Sequence, residues 1–129
     1  MVLTAEQIKA AAKLIIESVD VPEWGGTVLV KMLSGKEKTA FYVAQSIARK
    51  ANNDEPIENY QARFCVAVLC DEEGNRLYQD DQADELGDLP SSGVIIERIY
   101  DKARKLNCMF TEAEEEQLKN SAPIPSGAA

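Results

Sequence analysis

The chain has 129 residues, which is the length of one domain and enough to bury a core of its own. Its hydrophobic content of 45% excludes a fully disordered chain, and its net charge of −8 argues against a general affinity for nucleic acid, which needs clustered Lys and Arg. The absence of histidine removes Ser-His-Asp and Cys-His catalysis and every histidine metal site.

The first predicted element is a helix from about Ala5 to Ser18. Thr4 and Gln7 have the spacing of a capping box, which predicts the helix start. Apolar residues recur along one face, and amphipathic helices usually bury such a face within their own domain. The alternative is a surface for another protein. The stripe consists of Ile8, Ala11, Ala12, Ile15 and Ile16.

A β-hairpin is predicted next. Val19 and Val21 alternate with a polar residue, as in a half-buried strand, and Gly25-Gly26 can reverse the chain. A second strand follows from Thr27 to Leu33. Trp24 stands at the tip, where two interpretations are open: a displayed recognition side chain, or a residue folded back into the core.

A second helix is predicted from Gly35 to Ala51, because Ser34 and Glu37 form another capping box. A loop from Asn52 to Pro56 ends it. The apolar residues of one helix face are Phe41, Ala44, Ile47 and Ala48.

Residues 57–70 fit a helix, although Phe64 to Cys70 alone could form a buried strand. The segment is too long for a typical strand, which favours the helix. Residues 71–75 should form a turn and residues 76–78 a short extended piece. Residues 71–90 carry eight acidic side chains against Arg76 alone, so this stretch is either a solvated surface or a patch that steers a basic partner.

The last third of the chain is predicted to be helical. Asp80 or Asp81 could cap a brief helix ending at Gly87, and a longer helix should run from Pro90-Ser91-Ser92 to Leu106. Thr111 and Glu114 form a third capping box, for a helix to about Lys119. Residues 121–129 are small, Pro-rich and uncharged, which predicts a flexible tail after a single domain at 1–120. The longer helix carries an apolar stripe of Ile95, Ile99, Ala103 and Leu106.

The three cysteines, Cys65, Cys70 and Cys108, show no CxxC spacing and cannot form a four-thiolate zinc site. We identify no signal peptide and no apolar run long enough to span a membrane. The sequence therefore predicts a cytosolic, non-enzymatic protein without cofactor or metal, of the α+β class: mainly short helices with a small antiparallel hairpin near the N-terminus.

Five segments occur in a set order and spacing across roughly residues 15–120. They are Val21 to Gly26, Leu33 to Glu37, Val68 to Tyr78, Ala103 to Asn107 and Thr111-Glu112. As a set they resemble the tail assembly chaperones of long-tailed, siphovirus-type bacteriophages and prophages.

The resemblance implies a function in tail morphogenesis. Proteins of this family bind the long, aggregation-prone tape measure protein, keep it soluble while the tail tube assembles, and are absent from the virion. It also implies self-association, action in the host cytoplasm, possible contact with the tail tube protein, and in many relatives a longer product made by ribosomal frameshifting. No membrane or nucleic acid partner is expected.

Residues of the first helix and the hairpin are the predicted contacts with copies or the tape measure protein. Two other classes stay open: a structural connector that remains in the virion, and a small protein-binding adaptor. The predicted contact residues are Ile8, Ile15, Val21, Trp24, Val28 and Val30.

Overall fold

Helix α3, Tyr60–Val68, lies at the centre of the core and is buried on nearly all sides. The computed structural model describes residues 1–55, 57–110 and 112–121. A helix that is apolar all round is stable only when other elements cover it. Here α4 (Ala83–Gly87) and the long helix α5 (Ser92–Leu106) pack against it.

A three-stranded antiparallel sheet packs on α5. Its strands β1 (Ile16–Val21), β2 (Gly26–Lys31) and β3 (Leu69–Cys70) have the order β1-β2-β3. The register pairs Val19 with Val28 and Glu17 with Val30, so the valines share one face of the sheet. This arrangement of helices and a small sheet with an N-terminal hairpin confirms the predicted α+β class.

The first helix is shorter than predicted. Helix α1 spans Ala5–Ala11, and the chain then becomes extended at Ala12. Ile16 pairs with Lys31 in the sheet, so the branched residues predicted to end the helix begin β1 instead. Strand pairing with a segment far along the chain overrides the local helical period. Similarly, β3 takes the last two residues of the segment predicted as a helix, because Leu69 pairs with Val30.

The remaining helices lie close to their predicted bounds. Helix α2 spans Gly35–Ala51, and its Ser34 capping box is formed in both directions. A 3-10 turn precedes the brief helix α4. Its N-terminal cap is Gln79, which pairs with Gln82, and not Asp80 or Asp81 as predicted. Helix α6 spans Glu112–Ser121. The Thr111 cap and residues 122–129 of the predicted tail lie outside the described residues.

Two polar residues join the sheet to the helices that follow it. Buried Asn107, at the end of α5, accepts a hydrogen bond from the Leu33 amide at 2.8 Å and donates to the Lys31 carbonyl at 3.2 Å. The Lys31 ammonium donates to Glu37 at 2.6 Å and to the Gly74 carbonyl at 3.1 Å. These bonds fix the position from which α2 leaves the core.

Candidate protein-interaction surface

The N-terminal arm, residues 1–15, leaves large apolar side chains uncovered. None of the described residues of α1 is buried, and Ile8 keeps 56% of its surface exposed. The capping box is formed, with Thr4 and Gln7 bonded in both directions. A helix of this length is marginal in water without tertiary packing, so contact with another molecule would stabilise it. The exposed apolar residues of the arm include Leu3, Ile8, Leu14 and Ile15.

The hairpin tip holds Trp24 at the surface. Residues Pro22–Trp24 form a 3-10 turn, and Gly25 takes a left-handed φ of 76° that reverses the chain. Trp24 is 41% exposed, so it is displayed at the tip and does not fill the core. An indole held on a tight turn offers a large contact area at a small entropic cost.

An ion pair attaches this tip to helix α5. The guanidinium of Arg98 donates to both carboxylate oxygens of Glu23, at 2.8 and 2.7 Å. This hydrogen bonding lowers the pKa of Glu23 to about 2. The pair is exposed, so it orients the tip more than it stabilises the fold.

The predicted contact residues of the sheet are less accessible. Val21 and Val30 have no exposed surface and belong to the core, while Val28 is partly buried beside it. Their alternation correctly indicates one apolar face, but α5 covers that face. The structure thus leaves Ile8, Ile15 and Trp24 exposed and places Val21 and Val30 in the core.

Helix α2 presents an exposed apolar face that the sequence analysis did not predict as a contact surface, although Ala44 and Ile47 belong to the apolar face it identified. All of its residues are described, and only Phe41 is buried. Ile47 is 66% exposed and Val43 is 52% exposed. The spacing i, i+3, i+4, i+7 and i+11 places five exposed residues on one side of the helix. We call this side the α2 stripe, formed by Ala40, Val43, Ala44, Ile47 and Ala51.

Basic residues accompany the α2 stripe. Lys36 and Lys50 lie seven residues before and after Val43, so they lie two turns away on the same side of the helix. Helix α2 carries four basic side chains and one acidic one in a chain whose net charge is −8. The stripe is therefore an apolar surface with locally positive ends.

An open groove of about 1030 Å³ lies between α2, α3 and α5. Tyr60 and Tyr100 meet edge to face at its floor, with ring centroids 6.2 Å apart. Burial is the main cause that raises the pKa of both phenols. Aromatic and Arg side chains are typical of protein interfaces. The groove is also lined by Tyr42, Val94, Arg98 and Phe110.

Among the described residues, no three His, Cys, Asp or Glu side chains come together as a metal site would require. Cys65 and Cys70 are buried, and burial raises the pKa of the Cys65 thiol to about 12, which makes it a poor nucleophile. Within the described ranges, no helix has the length and apolar character needed to cross a membrane.

Comparison with known proteins identifies the family. The sequence model of the family described as phage tail assembly chaperone matches residues 6–119. The chain belongs to the phage tail assembly chaperone family. No curated protein sequence matches the chain.

The fold of this tail assembly chaperone is similar to that of a solved structure from another phage. The structure of the bacteriophage HK97 tail assembly chaperone superposes with a TM-score of 0.50 at 22% sequence identity. The match covers 80% of this chain and 95% of the HK97 chain. At this identity the similarity supports the fold alone, and the family model carries the assignment.

Proposed function

We propose that this chaperone binds the tape measure protein in the host cytoplasm, keeps it soluble, promotes assembly of the tail tube around it, and is absent from the mature virion. Self-association of the chaperone along the tape measure protein is part of the proposal. No bond-making chemistry is involved. The family membership supports the general role, and the exposed surfaces support the mode of binding.

One observation carries the proposal: two helices, α1 and α2, expose apolar faces that no other described part of the chain covers. Exposed apolar faces of this kind mark protein interaction sites. A long helical protein with uncovered apolar faces is a matching partner, because helices bind by laying such faces together. The net charge of −8 would keep the resulting complex soluble.

Displacement by the growing tube requires each contact to be weak. A single contact with a Kd near 1 μM corresponds to about −8 kcal/mol. Many such contacts along one partner would add by avidity, yet each could be removed in turn. Tight coating and stepwise release are thus compatible.

Co-expression tests this function. The tape measure protein of the same phage is expressed alone and with the chaperone, and its soluble fraction is measured. We expect most of it to be insoluble alone and soluble with the chaperone. Mass spectrometry of purified virions should detect no chaperone, and its presence at structural stoichiometry would instead indicate a connector.

The proposed contact residues are tested by variants of exposed positions. Trp24→Ala and Ile8→Asp should fold normally, because neither side chain is buried in the core. We expect them to sediment as smaller species than the wild type or to bind the tape measure protein more weakly. Unchanged sedimentation and unchanged binding in a folded variant would remove that residue from the function.

A further inference from the structure

The α2 stripe combines an uncovered apolar face with basic residues on the same side. Val43 and Ile47 are the large members; Ala44 lies between them, and Ala40 and Ala51 lie on either side. Small residues between large ones let another helix approach closely. From Ala40 to Ala51 the stripe extends about 17 Å along the helix axis. A partner helix of three turns or more would match it.

The charges select the kind of helix. Lys36 and Lys50 bracket the stripe, one near each of its ends. A partner whose apolar face is bordered by Asp and Glu would form ion pairs at both ends. A partner bordered by Lys would meet repulsion instead. The exposed ion pairs would be weakened by salt.

The helices of a second copy fit this surface poorly. Helix α1 is seven residues long, and with Lys9 and Lys13 it would bring more positive charge. Helix α6 is acidic, but Leu118 is its one large apolar side chain. Within the described part of the chain, no exposed helix has both the acidic borders and the apolar length that the stripe requires.

From these features we infer that the α2 stripe is the docking site for an acidic amphipathic helix of another protein. The inference rests on the proposed function, in which that helix belongs to the tape measure protein. In this inference, α2 binds the partner's helices, and Lys36 and Lys50 give the preference for helices with acidic borders.

Designed peptides test the charge preference. Two helical peptides of about 18 residues carry the same Leu stripe, one bordered by Glu and the other by Lys. Binding to the full chain is measured by fluorescence anisotropy at about 0.15 M salt, where screening beyond about 8 Å limits the effect of the chain's overall negative charge. We expect the Glu-bordered peptide to bind at least about tenfold more tightly, because several ion pairs change from attractive to repulsive. Equal binding of the two peptides would overturn the inference.

Three variants locate the site. Ile47→Asp should weaken binding of the Glu-bordered peptide at least about thirtyfold, since it places a charge in the apolar contact. The control is Leu77→Asp, which should bind as the wild type does, because Leu77 is an exposed apolar residue (53%) that lies outside both the α2 stripe and the groove. The double variant Lys36→Glu/Lys50→Glu should prefer the Lys-bordered peptide. Circular dichroism checks that each variant is folded.

The outcomes separate this inference from the proposed function. If wild-type chaperone and Ile47→Asp solubilise the tape measure protein equally, the stripe is not the docking site, although the function stands. If the wild type fails to solubilise the tape measure protein, the proposed function is wrong, whichever peptide the chaperone binds. If Ile47→Asp dissociates the chaperone's own oligomers and the wild type binds neither peptide, the stripe is a contact between copies, and the inference is wrong.

Discussion

Replacement of Asn107 by Ala tests the account of how the sheet is joined to the helices. The side chain accepts from the Leu33 amide and donates to the carbonyls of Lys31 and Ala103, and the residue is only 5% exposed. Alanine would leave the buried Leu33 amide without its acceptor and would remove one donor from each of the two carbonyls, although the Ala103 carbonyl keeps the backbone amide of residue 107 as a donor. An unsatisfied buried group costs about 1–3 kcal/mol, and each lost bond about 0.5–1.5 kcal/mol. We therefore expect Asn107→Ala to lower the free energy of unfolding by about 2–5 kcal/mol, out of a total that is typically about 5–15 kcal/mol.

Urea unfolding followed by circular dichroism measures this change. The comparison is made at two protein concentrations, because self-association would make the apparent stability depend on concentration. The control is Asn120→Ala on α6, an exposed position where we expect a change within about 0.5 kcal/mol. The reasoning is refuted if Asn107→Ala costs less than about 1 kcal/mol, since the Leu33 amide and the Lys31 carbonyl would then have found other partners.

Three further predictions follow from single residues. Gly74 has a φ of 85°, so Gly74→Ala should destabilise the fold by about 1–2 kcal/mol in thermal unfolding. Gly93 lies on α5, where an added methyl group would meet no other atom, so Gly93→Ala should stabilise the fold by about 0.5–1 kcal/mol. The pKa of Glu23 is lowered to about 2 by hydrogen bonding from Arg98, so its stabilising effect should be present above about pH 4.5 and disappear as the pH falls towards 2. Glu23→Gln should remove that part of the acid dependence, and an unchanged pH profile of stability would contradict it. A thiol reagent should modify exposed Cys108 quickly, and the two buried cysteines only after unfolding.

Local signals in the sequence were sufficient to predict helices α2 and α5. The Ser34–Glu37 capping box and the apolar period of α5 predict bounds that the structure confirms. Caps and helical periods are set by residues within a few positions of each other, so they can be read without the rest of the fold.

Non-local pairing accounts for the errors. Helix α1 ends early because Ile16 pairs with Lys31, and Leu69 leaves its helix because it pairs with Val30. Both pairings bring together residues that are distant in the chain. The periodicity of one segment gives no information about which other segment it will pair with. The length of a segment therefore did not predict where a helix ends when some of its residues pair with a strand.

The same limit applies to the interaction surface. Periodicity shows that α2 and the hairpin each have an apolar face, but only the fold shows which face is covered. Val30 is buried beneath the helices, whereas Ile47 is left uncovered by the same fold. A basic helix in an acidic chain was the available sign that α2 is not ordinary core, because buried helix faces need no particular charge at their borders.

Calorimetric titration of the purified chaperone with a soluble segment of the tape measure protein tests the central claim most directly. The claim is that this chain functions by covering the apolar surface of another protein. We predict saturable binding with a clearly negative heat-capacity change, which is the signature of apolar burial. The account is contradicted if no binding occurs at any salt concentration, or if binding occurs with a heat-capacity change near zero.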